Sequence, residues 1–574
     1  MADGIIVPDE FKHYDALEVD PHYARYYTYA YGGALGAAAL VALPRLLTSL
    51  RARRAYTGLG LWEDNSPGYE ALVAAEREKF PPSAPAQVRT GLVSVVSWLA
   101  ALQLPLRGVN LDVGQVISLL AYIAVLVFCL TDGYNLSKNP DRAGFIALAH
   151  FPLIFLTATK NGMIQVLLGH GYEKLNWIHR WAGRSIFLCI VLHGSFWLAT
   201  PTVLREDKRS TGLSALGLLC VLVASSLGPV RRFCYQVFFG IHVVTYTAFF
   251  ILVCYHTEYA PPYIIPAVSF YAFDMFVRML RFRIKDATLE ACDQQMTIIH
   301  VPDVDGGWTA GQHVRVRVFI GGRCFESHPL TIVTAPRSIT CSNSARGIIL
   351  GSRVQGPWSR ALNNLAREAG TDEKKVGVYS KGVHIQLMLD GPYGGCALDM
   401  ARFENVLLVA GGSGITFVLG VLDDLVGRIA RQGRLQGELT RRIDIAWCIR
   451  SFGCLFWFSD LMRDIADKSR QCGLQLHFNV FVTCLCNPEA VPPIPELTVT
   501  MDKPSMRAHL TPFLSPTPTD AEASASLPTN GGLGIAVCGP RGLTNEAQNT
   551  VAMLSPSQMT RLGGAELFVE HFSL

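Results

Sequence analysis

The sequence is short of charge. Of its 574 residues, 50 are Lys or Arg and 46 are Asp or Glu, so charged types make up 17% of the chain. A soluble domain carries about 25%. Hydrophobic types make up 50%, and the mean hydropathy is +0.27. This composition excludes a disordered, collagen-like or coiled-coil protein and argues against a simple soluble one. The net charge of +4 is too small to indicate a nucleic-acid partner.

Two sequence signals are absent. The 15 cysteines are scattered, and neither CxxC nor CxxCH occurs among them. Their absence argues against a zinc ribbon, a cysteine-ligated iron–sulfur cluster and a covalently attached haem. The first twenty residues contain no apolar run. We therefore expect no cleaved signal peptide.

The shortage of charge is local. Residues 91–281 carry 22 charged side chains in 191 positions, whereas residues 282–574 carry 54 in 293. A membrane-spanning helix needs roughly 17–25 predominantly apolar residues. Runs at or near this length with few or no charges predict a helical bundle of about seven spans in a lipid bilayer: Thr28–Pro44, Val113–Thr131, Gly144–Thr159, Ser185–Leu204, Ser210–Val230, Phe233–Thr257 and Tyr259–Leu280.

The basic residues of the short loops predict the orientation of the bundle. Fourteen Lys and Arg residues fall on one side and five on the other. The side with more Lys and Arg is usually cytosolic, so we expect the N-terminus outside and the C-terminal half in the cytosol. Asp274 lies four residues before Arg278, near the inner end of the last run. This spacing predicts an i,i+4 ion pair.

Four histidines stand at regular spacing in or just before the apolar runs. His179 and His193 are fourteen residues apart, and so are His242 and His256. Fourteen residues return a helix to within about 40° of the same face and advance it by about 21 Å. One span separates the two helices, so both run outward. We therefore predict that His179 faces His242 at an inner level and His193 faces His256 at an outer level. Two stacked bis-histidine sites indicate two haems that carry electrons across the membrane.

Other polar residues near these pairs have less specific interpretations. His150 has no spaced partner and is interpreted as a packing residue or a proton-linked contact. His170 receives no role. Arg180 and Arg184 flank the inner level. They are interpreted either as partners of haem propionates or as ordinary positive-inside residues.

The C-terminal half has the pattern of a soluble protein. After Lys285, short alternating strands separated by turns predict a small β-barrel: Gln295–Val301, His313–Ile320, Gly347–Val354 and His384–Leu389. An apolar strand then leads into Gly411–Thr416 and an apolar helix. Glycines at that position let the backbone approach a pyrophosphate at the helix N-terminus. With later strands at Asp444–Ile449, Leu474–Thr483 and Gly534–Cys538, this half reads as a barrel followed by a doubly wound α/β domain.

These residues carry a family likeness. The stretch from Lys160-Asn161-Gly162 through Leu175–Arg184, with the fourteen-residue His spacing, resembles the ferric reductase/NADPH oxidase superfamily, particularly fungal ferric reductases. The C-terminal half resembles the ferredoxin–NADP reductase fold. The likeness implies four regions: residues 1–110 with the first span and a cytosolic loop, a transmembrane haem domain at 111–282, an FAD-binding barrel at 283–398, and an NAD(P)H-binding α/β domain at 399–574. Residues 487–530, rich in Pro, Ser and Thr, are interpreted as a surface insertion.

The resemblance also implies site residues. The sequence His328-Pro329-Leu330-Thr331 resembles a flavin-binding His-Pro-Phe-Thr motif, with Leu330 in the usual aromatic position. The other residues that match flavin motifs are His313, Gly356 and Ser359. Those that match nicotinamide-nucleotide motifs are Gly391, Pro392, Gly411, Gly412, Ser413, Gly414 and Thr416, with Arg450 and Ser451 where the family recognises the 2′-phosphate of NADPH. The implied catalytic positions are Cys538, beside the nicotinamide ring, and Phe572, over the flavin.

The resemblance implies a reaction and its alternatives. We expect NADPH, FAD and two haem b groups to serve the reduction of an extracellular ferric chelate or siderophore-bound iron, with cupric ion as a further acceptor. The ferrous product would serve iron uptake, with an iron permease or oxidase as partner, at the plasma membrane or the vacuolar membrane. One alternative is a superoxide-generating NADPH oxidase, whose second His pair usually has one residue fewer. Another is a membrane transporter with a nucleotide-sensing domain, which predicts no haem.

Overall fold

The computed structural model describes most of the chain. The described residues are 15–51, 58–63, 111–133, 135–168, 171–199, 206–319, 321–343, 346–370, 382–434, 437–484, 492–514 and 531–570. Two predicted positions, His170 and Phe572, lie outside them. The chain divides into two compact units, of which one is mainly Met1–Thr48 with Ile117–Leu280 and the other is Ser49–Val116 with Arg281–Ser573.

The first unit is helical. Its helices, with their ends, are α1 (Ala16–Arg51), α2 (Val113–Thr131), α3 (Asp141–Ala158), α4 (Met163–Leu168), α5 (Tyr172–Ala199), α6 (Glu206–Ser225), α7 (Gly228–Phe233), α8 (Tyr235–His256) and α9 (Pro261–Arg281). Five of the described helices, α2, α3, α5, α8 and α9, are long and apolar enough to cross a membrane. The other two predicted runs are also helical, in α1 and α6. The predicted number of seven spans is therefore not confirmed, and α6 differs because it begins with the charged residues 206–209.

Helix α3 is the central helix of this unit. In its most apolar window 61% of the residues are buried, against 17–22% in the other four candidate spans. Phe151 of α3 packs on Phe249 and Phe250 of α8, with ring centroids 5.9 and 4.9 Å apart. Helices that are apolar all round but largely exposed are typical of contact with lipid. Because α3 is covered by its neighbours, its backbone and side chains can provide contacts to several helices at once.

Asp274 has partners that the i,i+4 spacing does not predict. Its carboxylate is 3% exposed. It accepts hydrogen bonds from the backbone N–H groups of Lys160 and Asn161, at 3.0 and 2.7 Å, and from the Asn161 side-chain amide at 2.9 Å. These bonds join α9 to the turn between α3 and α4. The main role of this side chain is therefore to satisfy buried amides, which is a tertiary contact rather than a helix-surface pair.

The second unit begins with a six-stranded antiparallel barrel. Its strands are β1 (Arg283–Ala291), β2 (Met296–Val301), β3 (Gln312–Val318), β4 (His328–Thr331), β5 (Ile348–Arg353) and β6 (Val383–Gly394), and α10 (Pro357–Gly370) follows β5. They pair in the order β4-β3-β6-β1-β2-β5. A bridge from Ile332 to Leu350 joins the two edges. The four predicted strands are present, whereas β1 and β4 were missed.

A six-stranded parallel sheet follows the barrel. Its strands are β7 (Asn405–Gly411), β8 (Arg442–Ile449), β9 (Gln475–Val482), β10 (Leu497–Thr500), β11 (Leu533–Cys538) and β12 (Ala565–Glu570), in the order β10-β9-β8-β7-β11-β12. Its helices are α11 (Ile415–Gln432), α12 (Ser459–Gln471), α13 (Met506–Leu514), α14 (Arg541–Ala552) and α15 (Pro556–Leu562). The order reverses between β7 and β11. In such sheets, ligands bind at the carboxyl ends of the strands beside this reversal.

The predicted surface insertion at 487–530 is partly a fold element. Of this segment the structure describes residues 492–514, and they supply β10 and α13. Met506 and Leu510 of α13 are each 1% exposed, within the apolar core that includes Leu407 and Val409 of β7. The interpretation as a surface insertion is therefore wrong for these residues. Because the segment is rich in Pro, Ser and Thr, its sequence gave no signal for the short edge strand β10 or for the helix α13 packed behind it.

Candidate functional site

The helical unit brings the four regularly spaced histidines together in pairs. The rings of His179 on α5 and His242 on α8 have centroids 6.3 Å apart. The rings of His193 and His256, on the same two helices, have centroids 6.1 Å apart. These are the pairs expected from the spacing. All four rings are half-buried.

Each of these rings uses its Nδ1 atom in a hydrogen bond. His179 Nδ1 donates to the Ile154 carbonyl at 2.9 Å, and His193 Nδ1 donates to the Pro140 carbonyl at 2.9 Å. His256 Nδ1 lies 3.1 Å from the Lys208 carbonyl. A carbonyl oxygen only accepts, so Nδ1 carries the proton in these three rings. Their Nε2 atoms therefore carry the lone pair.

His242 has the same tautomer through a hydroxyl group. Its Nδ1 lies 3.2 Å from Ser226 Oγ. The Ser226 hydroxyl donates to the Leu222 carbonyl at 2.6 Å, so its oxygen is left to accept from the ring. All four Nε2 atoms thus carry the lone pair that a metal ligand needs. A histidine that binds a metal usually fixes its other ring nitrogen in this way.

The paired rings fit the donor set of a bis-histidine haem. A metal-bound imidazole nitrogen lies about 2 Å from its metal, so two bonds in line and two ring half-widths separate the centroids by about 6 Å. Haem iron accepts imidazole axial ligands, and the porphyrin supplies the other four nitrogens. The distances and the tautomers agree with this requirement at both levels. Ligation itself stays a proposal.

Two glycines make room for the rings of the outer pair. A Cβ atom at Gly144 of α3 would lie 3.1 Å from His193 Nδ1. A Cβ atom at Gly212 of α6 would lie 2.9 Å from His256 Cε1. Asp141 also stands near this level, with Oδ1 3.8 Å from His193 Nδ1 and accepting from Trp197 Nε1 at 2.8 Å. The outer rings are therefore held by backbone and small residues of neighbouring helices.

His150 has a different environment from the paired histidines. It is fully buried. Its Nε2 lies 2.7 Å from the Tyr27 hydroxyl and 2.8 Å from the Tyr122 hydroxyl, and its Nδ1 donates to the Ile146 carbonyl at 2.7 Å. Both ring nitrogens are thus occupied, in agreement with a packing role. Of the two flanking arginines, Arg184 stacks on Trp181 with its guanidinium carbon 4.5 Å from the ring centroid.

In the second unit, the residues predicted to bind flavin come together. Strands β3 and β4 pair His313 with Thr331 and Val314 with Leu330. The His328 ring stacks on Trp358, at the start of α10, with centroids 4.2 Å apart. Burial lowers the pKa of His328, although Glu326 at 3.3 Å opposes the shift. His328 is therefore neutral at neutral pH, so it can lie against an aromatic or flavin surface without a buried charge.

The second flavin motif forms a tight turn at the start of α10. Ser359 Oγ accepts from the backbone N–H groups of Gln355 and Gly356 at 3.0 and 3.1 Å. It is 7% exposed. The hydroxyl thus shapes the turn in this structure. The expected contact of this motif with a pyrophosphate stays a prediction.

The first flavin motif, His328–Thr331, lies on the edge strand β4. Its Leu330 side chain is half-buried and its Pro329 side chain is exposed.

The predicted nucleotide loop lies at the reversal of strand order. A short 3₁₀ turn, Gly412–Gly414, joins β7 to α11. Gly412 has a φ of +56°, and Trp447 Nε1 donates to its carbonyl at 3.0 Å. A Cβ atom at Gly414 would lie 2.2 Å from the Cys538 carbonyl. Glycine is required at this position because the loop packs directly on the end of β11. Ser413 is half-buried and Thr416 is buried beside it.

Other nucleotide positions stand at the same edge of the sheet. Arg450 follows the last residue of β8 and is exposed. Ser451 caps the next 3₁₀ turn by accepting from Gly453 N–H at 3.3 Å. In the barrel, Gly391 and Gly394 have positive φ angles of 139° and 66°, and the Gly391–Pro392 bond is cis. Gly391 and Pro392 are buried. The nucleotide-motif residues of the parallel sheet thus lie at one edge of that sheet, whereas the Gly391–Gly394 turn lies in the barrel.

Cys538 is fully buried at the carboxyl end of β11. Burial, with a smaller effect from Glu570, raises the pKa of its thiol well above the usual value. A neutral thiol can contact a nicotinamide ring but is a poor nucleophile. This environment argues against covalent catalysis, and the implied place of Cys538 beside a nicotinamide ring stays a prediction, because the side chain has no exposed surface here.

Arg353 is a candidate functional residue that sequence analysis missed. It ends β5, three residues before Gly356, and its Nη1 atom would be 2.9 Å from a Cβ atom at Gly412. It therefore stands between the flavin turn and the nucleotide loop, where a guanidinium can bind phosphate groups. A basic residue at the end of a strand, just before a glycine motif, was the available signal.

A membrane-spanning helical unit followed by a barrel and a parallel α/β domain defines a membrane oxidoreductase of the flavin- and nicotinamide-dependent class. Three family models match the chain in this order. The ferric reductase like transmembrane component matches residues 143–253. The FAD-binding domain matches residues 281–397, and the ferric reductase NAD binding domain matches residues 403–491. The chain belongs to the ferric reductase superfamily.

Several curated proteins are similar to the chain. The probable cell surface ferric reductase kap2 of Aspergillus oryzae is 27% identical over 371 residues, which cover 59% of this chain and 47% of that protein. Ferric reductase transmembrane component 4 of Saccharomyces cerevisiae is 28% identical over 48% of this chain and 38% of its own length. Ferric/cupric reductase transmembrane component 7 of the same yeast is 25% identical over 73% of this chain and 69% of its own. The match thus spans less than half of the first two relatives.

Solved structures show more distant similarity. A ferredoxin NADP⁺ reductase from Neisseria gonorrhoeae with bound FAD and NADP covers 50% of this chain and 98% of its own, at 15% identity and a TM-score of 0.32. A flavohemoglobin from Malassezia yamatoensis covers 76% of this chain and 97% of its own, at 13% identity and a TM-score of 0.35.

Proposed function

We propose that the protein is a membrane oxidoreductase that carries electrons from cytosolic NADPH across the membrane to an extracellular ferric chelate, with FAD and two b-type haems as cofactors. His179 and His242 would hold the inner haem, and His193 and His256 the outer one. The product, Fe(II), would serve iron uptake. We place the protein in the plasma membrane, with the second unit in the cytosol.

The observation that carries this proposal is the state of the four paired histidines. Each ring donates its Nδ1 proton to a backbone or hydroxyl oxygen, and each faces a partner ring about 6 Å away. A packing histidine such as His150 has both nitrogens occupied by side-chain and backbone partners. Four rings with the same tautomer at two levels are difficult to explain by packing alone.

The chemistry divides between the cofactors and the chain. A flavin accepts a hydride and releases single electrons, and bis-histidine haem iron takes up and releases one electron without binding oxygen. The chain's own part is to hold and orient. The glycine loop Gly412–Gly414 offers backbone N–H groups at a helix N-terminus to a pyrophosphate. Arg450 offers a guanidinium for the 2′-phosphate of NADPH, and the neutral His328 with Trp358 offers an apolar wall for the flavin.

The names of the relatives favour ferric iron as the acceptor. The similar proteins are named ferric or ferric/cupric reductases, one of them at the cell surface. We therefore propose ferric chelate as the main acceptor, siderophore-bound iron as one form of it, and cupric ion as a further acceptor. Superoxide production by the same cofactors is the competing outcome that the experiment must separate.

Reconstituted protein provides the test. We expect the reduced-minus-oxidised spectrum to show a b-type haem band, and NADPH to drive ferrous iron production that superoxide dismutase does not suppress. Absence of the haem band would refute the bis-histidine assignment. Iron reduction that disappears with superoxide dismutase would instead identify an oxidase.

Replacement of one proposed ligand distinguishes the outer haem site from the inner one. We expect His193→Leu to lower the haem content from two per chain to about one and to abolish ferric-chelate reduction, whereas His150→Gln, the matched membrane histidine, keeps both haems. Haem is measured as its pyridine complex. Unchanged haem content in His193→Leu would remove that residue from the site.

A further inference from the structure

Residues 58–63, Gly58-Leu59-Gly60-Leu61-Trp62-Glu63, lie on the flavin barrel although they follow α1 in the chain. We call this segment the strap. It belongs to the second compact unit together with the barrel. Six residues, 52–57, separate Gly58 from the end of α1 at Arg51. The sequence places this region in the expected cytosolic loop after the first span and predicts no further role for it.

The strap is bound to the barrel by main-chain hydrogen bonds. Trp62 N–H donates to the Gly306 carbonyl at 3.0 Å, and the N–H groups of Asp305 and Gly306 lie 3.1 and 3.4 Å from the Trp62 carbonyl. Trp62 and Gly306 form an antiparallel bridge. These bonds fix the strap to the loop between β2 and β3.

One side chain of the strap enters the barrel core. Leu61 is 4% exposed and belongs to the same apolar cluster as Leu289, Ile299 and Val316. Leu59, two residues earlier, is 43% exposed. Burial of a leucine side chain removes apolar surface from water and so stabilises the contact. The strap is therefore anchored by Leu61, and Leu59 provides a matched control.

The barrel loop is shaped to receive the strap. Gly307 has a φ of +98°, and a Cβ atom there would lie 2.0 Å from the Gly60 carbonyl oxygen. A Cβ atom at Gly306 would lie 2.5 Å from Trp62 Nε1. Only glycine allows the two backbones to approach this closely. Glycine is thus required at both barrel positions for this contact to form.

The strap also reaches the flavin and nicotinamide motifs through one side chain. Gln312, at the start of β3, donates from Nε2 to the Gly58 carbonyl at 3.1 Å and to the Gly394 carbonyl at 3.3 Å. Its Oε1 accepts from Thr309 N–H at 2.8 Å. Gln312 is 6% exposed and precedes His313. A displaced strap would leave a buried amide without one of its partners.

An ion pair completes the contact. Lys285 Nζ binds Glu63 Oε1, and the Lys285 side chain is only 10% exposed. Lys285 lies on β1, which begins two residues after α9 ends. The strap is joined in the chain to α1 on one side and, through residues 64–110, to α2 on the other, whereas α9 leads directly into β1.

We infer that the strap is a positioning segment that holds the flavin barrel for electron transfer to the inner haem, an inference that rests on the proposed function. A second tether raises the effective concentration of one unit at the other without adding a new binding site. Transfer between a flavin and a haem slows steeply as their separation grows, and small losses of position cost large factors in rate. The strap thus couples the two halves, while hydride transfer within the second unit does not need it.

The test compares Leu61→Asp with Leu59→Asp in the whole chain, loaded with its cofactors and held in nanodiscs. For Leu61→Asp we expect faster hydrogen exchange at residues 302–308, an unchanged flavin content and unchanged NADPH-driven ferricyanide reduction, in which the flavin is the donor. We expect anaerobic haem reduction by NADPH to slow on the order of tenfold. Leu59→Asp should match the parent chain in all four measurements.

Two results for Leu61→Asp would overturn the inference. Haem reduction at the parent rate would show that the strap does not position the barrel. Equal loss of flavin, ferricyanide reduction and haem reduction would show that it only stabilises the barrel fold. A parent chain without a haem band would instead refute the proposed function, so the two failures are distinguishable.

A charge reversal tests the same contact without disturbing the core. We expect Glu63→Lys and Lys285→Glu each to slow haem reduction, and the double change to restore it because the pair is re-formed with opposite signs. Failure of the double change to recover the rate would contradict the inference, since both residues would then act independently of their contact.

Discussion

Each paired histidine depends on an oxygen atom contributed by another part of the chain. The carbonyls of Pro140 and Ile154 belong to α3 and the residue before it, and that of Lys208 belongs to α6. These acceptors hold the ring orientation and keep the Nε2 lone pair available for a metal. The paired histidines and the helices that supply their acceptors therefore form one arrangement, and a small change beside the Nδ1 atom of a ring should affect a metal bound at its Nε2 atom.

Gly212 provides a sharp test of that dependence. A Cβ atom at Gly212 would come within 2.9 Å of His256 Cε1, whereas Gly217, on the same helix, has nothing within 4 Å. We expect Gly212→Ala to shift the midpoint potential or electron paramagnetic resonance signal of one haem, and Gly217→Ala to leave both haems unchanged. Identical spectra for the two variants would show that the close approach of Gly212 to the His256 ring does not influence a haem.

Replacement of Arg450, at the edge of the α/β sheet, tests the preference for NADPH over NADH. We expect Arg450→Ala to raise the KM for NADPH roughly tenfold, because a hydrogen bond to a charged group contributes about 1.5–3 kcal/mol, and to leave the KM for NADH nearly unchanged. Arg441→Ala is the control, since its exposed side chain stands at the opposite end of β8. Equal increases for both nucleotides would contradict recognition of the 2′-phosphate by Arg450.

At the residue scale, the sequence predicted which histidines come together better than it predicted what surrounds them. The fourteen-residue spacing predicted the partners of all four histidines because helix geometry determines which residues share a face. It could not predict the Nδ1 acceptors, which are backbone atoms brought together by tertiary packing. Arg353 was missed for the same reason. Its proximity to Gly412 depends on how the barrel meets the α/β domain.

At the element scale, most long regular segments were predictable and the shortest edge strands were not. The described parts of the apolar runs are helical and the predicted strands are present, whereas the nine-residue β1, which lies between β6 and β2, was missed. β4 and β10 have four residues each and lie at sheet edges, and β4 contains Pro329. Proline in a strand is tolerated at an edge but weakens the sequence signal. Four residues are also too few for a period of two to stand out.

The helix α13 shows what an unpredicted element contributes. Leu510 is 1% exposed in the core beneath β7 and β11. We expect Leu510→Ala to lower the free energy of unfolding of the second unit by about 2–5 kcal/mol through lost burial and the cavity left behind. Arg507→Ala, an exposed neighbour on α13, should change it little. Urea titration followed by flavin fluorescence measures both, and equal stabilities would contradict a structural role for α13.

At the scale of the whole molecule, the uneven distribution of charge divides the work. The helical unit has few ionisable groups, and its polar side chains are concentrated in the histidine pairs and in buried contacts such as that of Asp274. The second unit is more highly charged than the helical unit and holds the predicted nucleotide and flavin motifs. In the proposed function, the apolar unit would separate the electron carriers from water, and the more highly charged unit would bind the soluble nucleotide.

This division predicts that the acceptor and the donor are used on opposite sides of a sealed membrane. In proteoliposomes with a ferric chelate trapped inside, we expect NADPH added outside to produce ferrous iron inside, because the outer histidine pair and the nucleotide loop would face different compartments. His193→Leu should stop reduction of the trapped chelate while external ferricyanide is still reduced from the flavin. Chelate reduced only when it is added on the NADPH side would mean that electrons leave from the second unit, and the role of the stacked histidines would be lost.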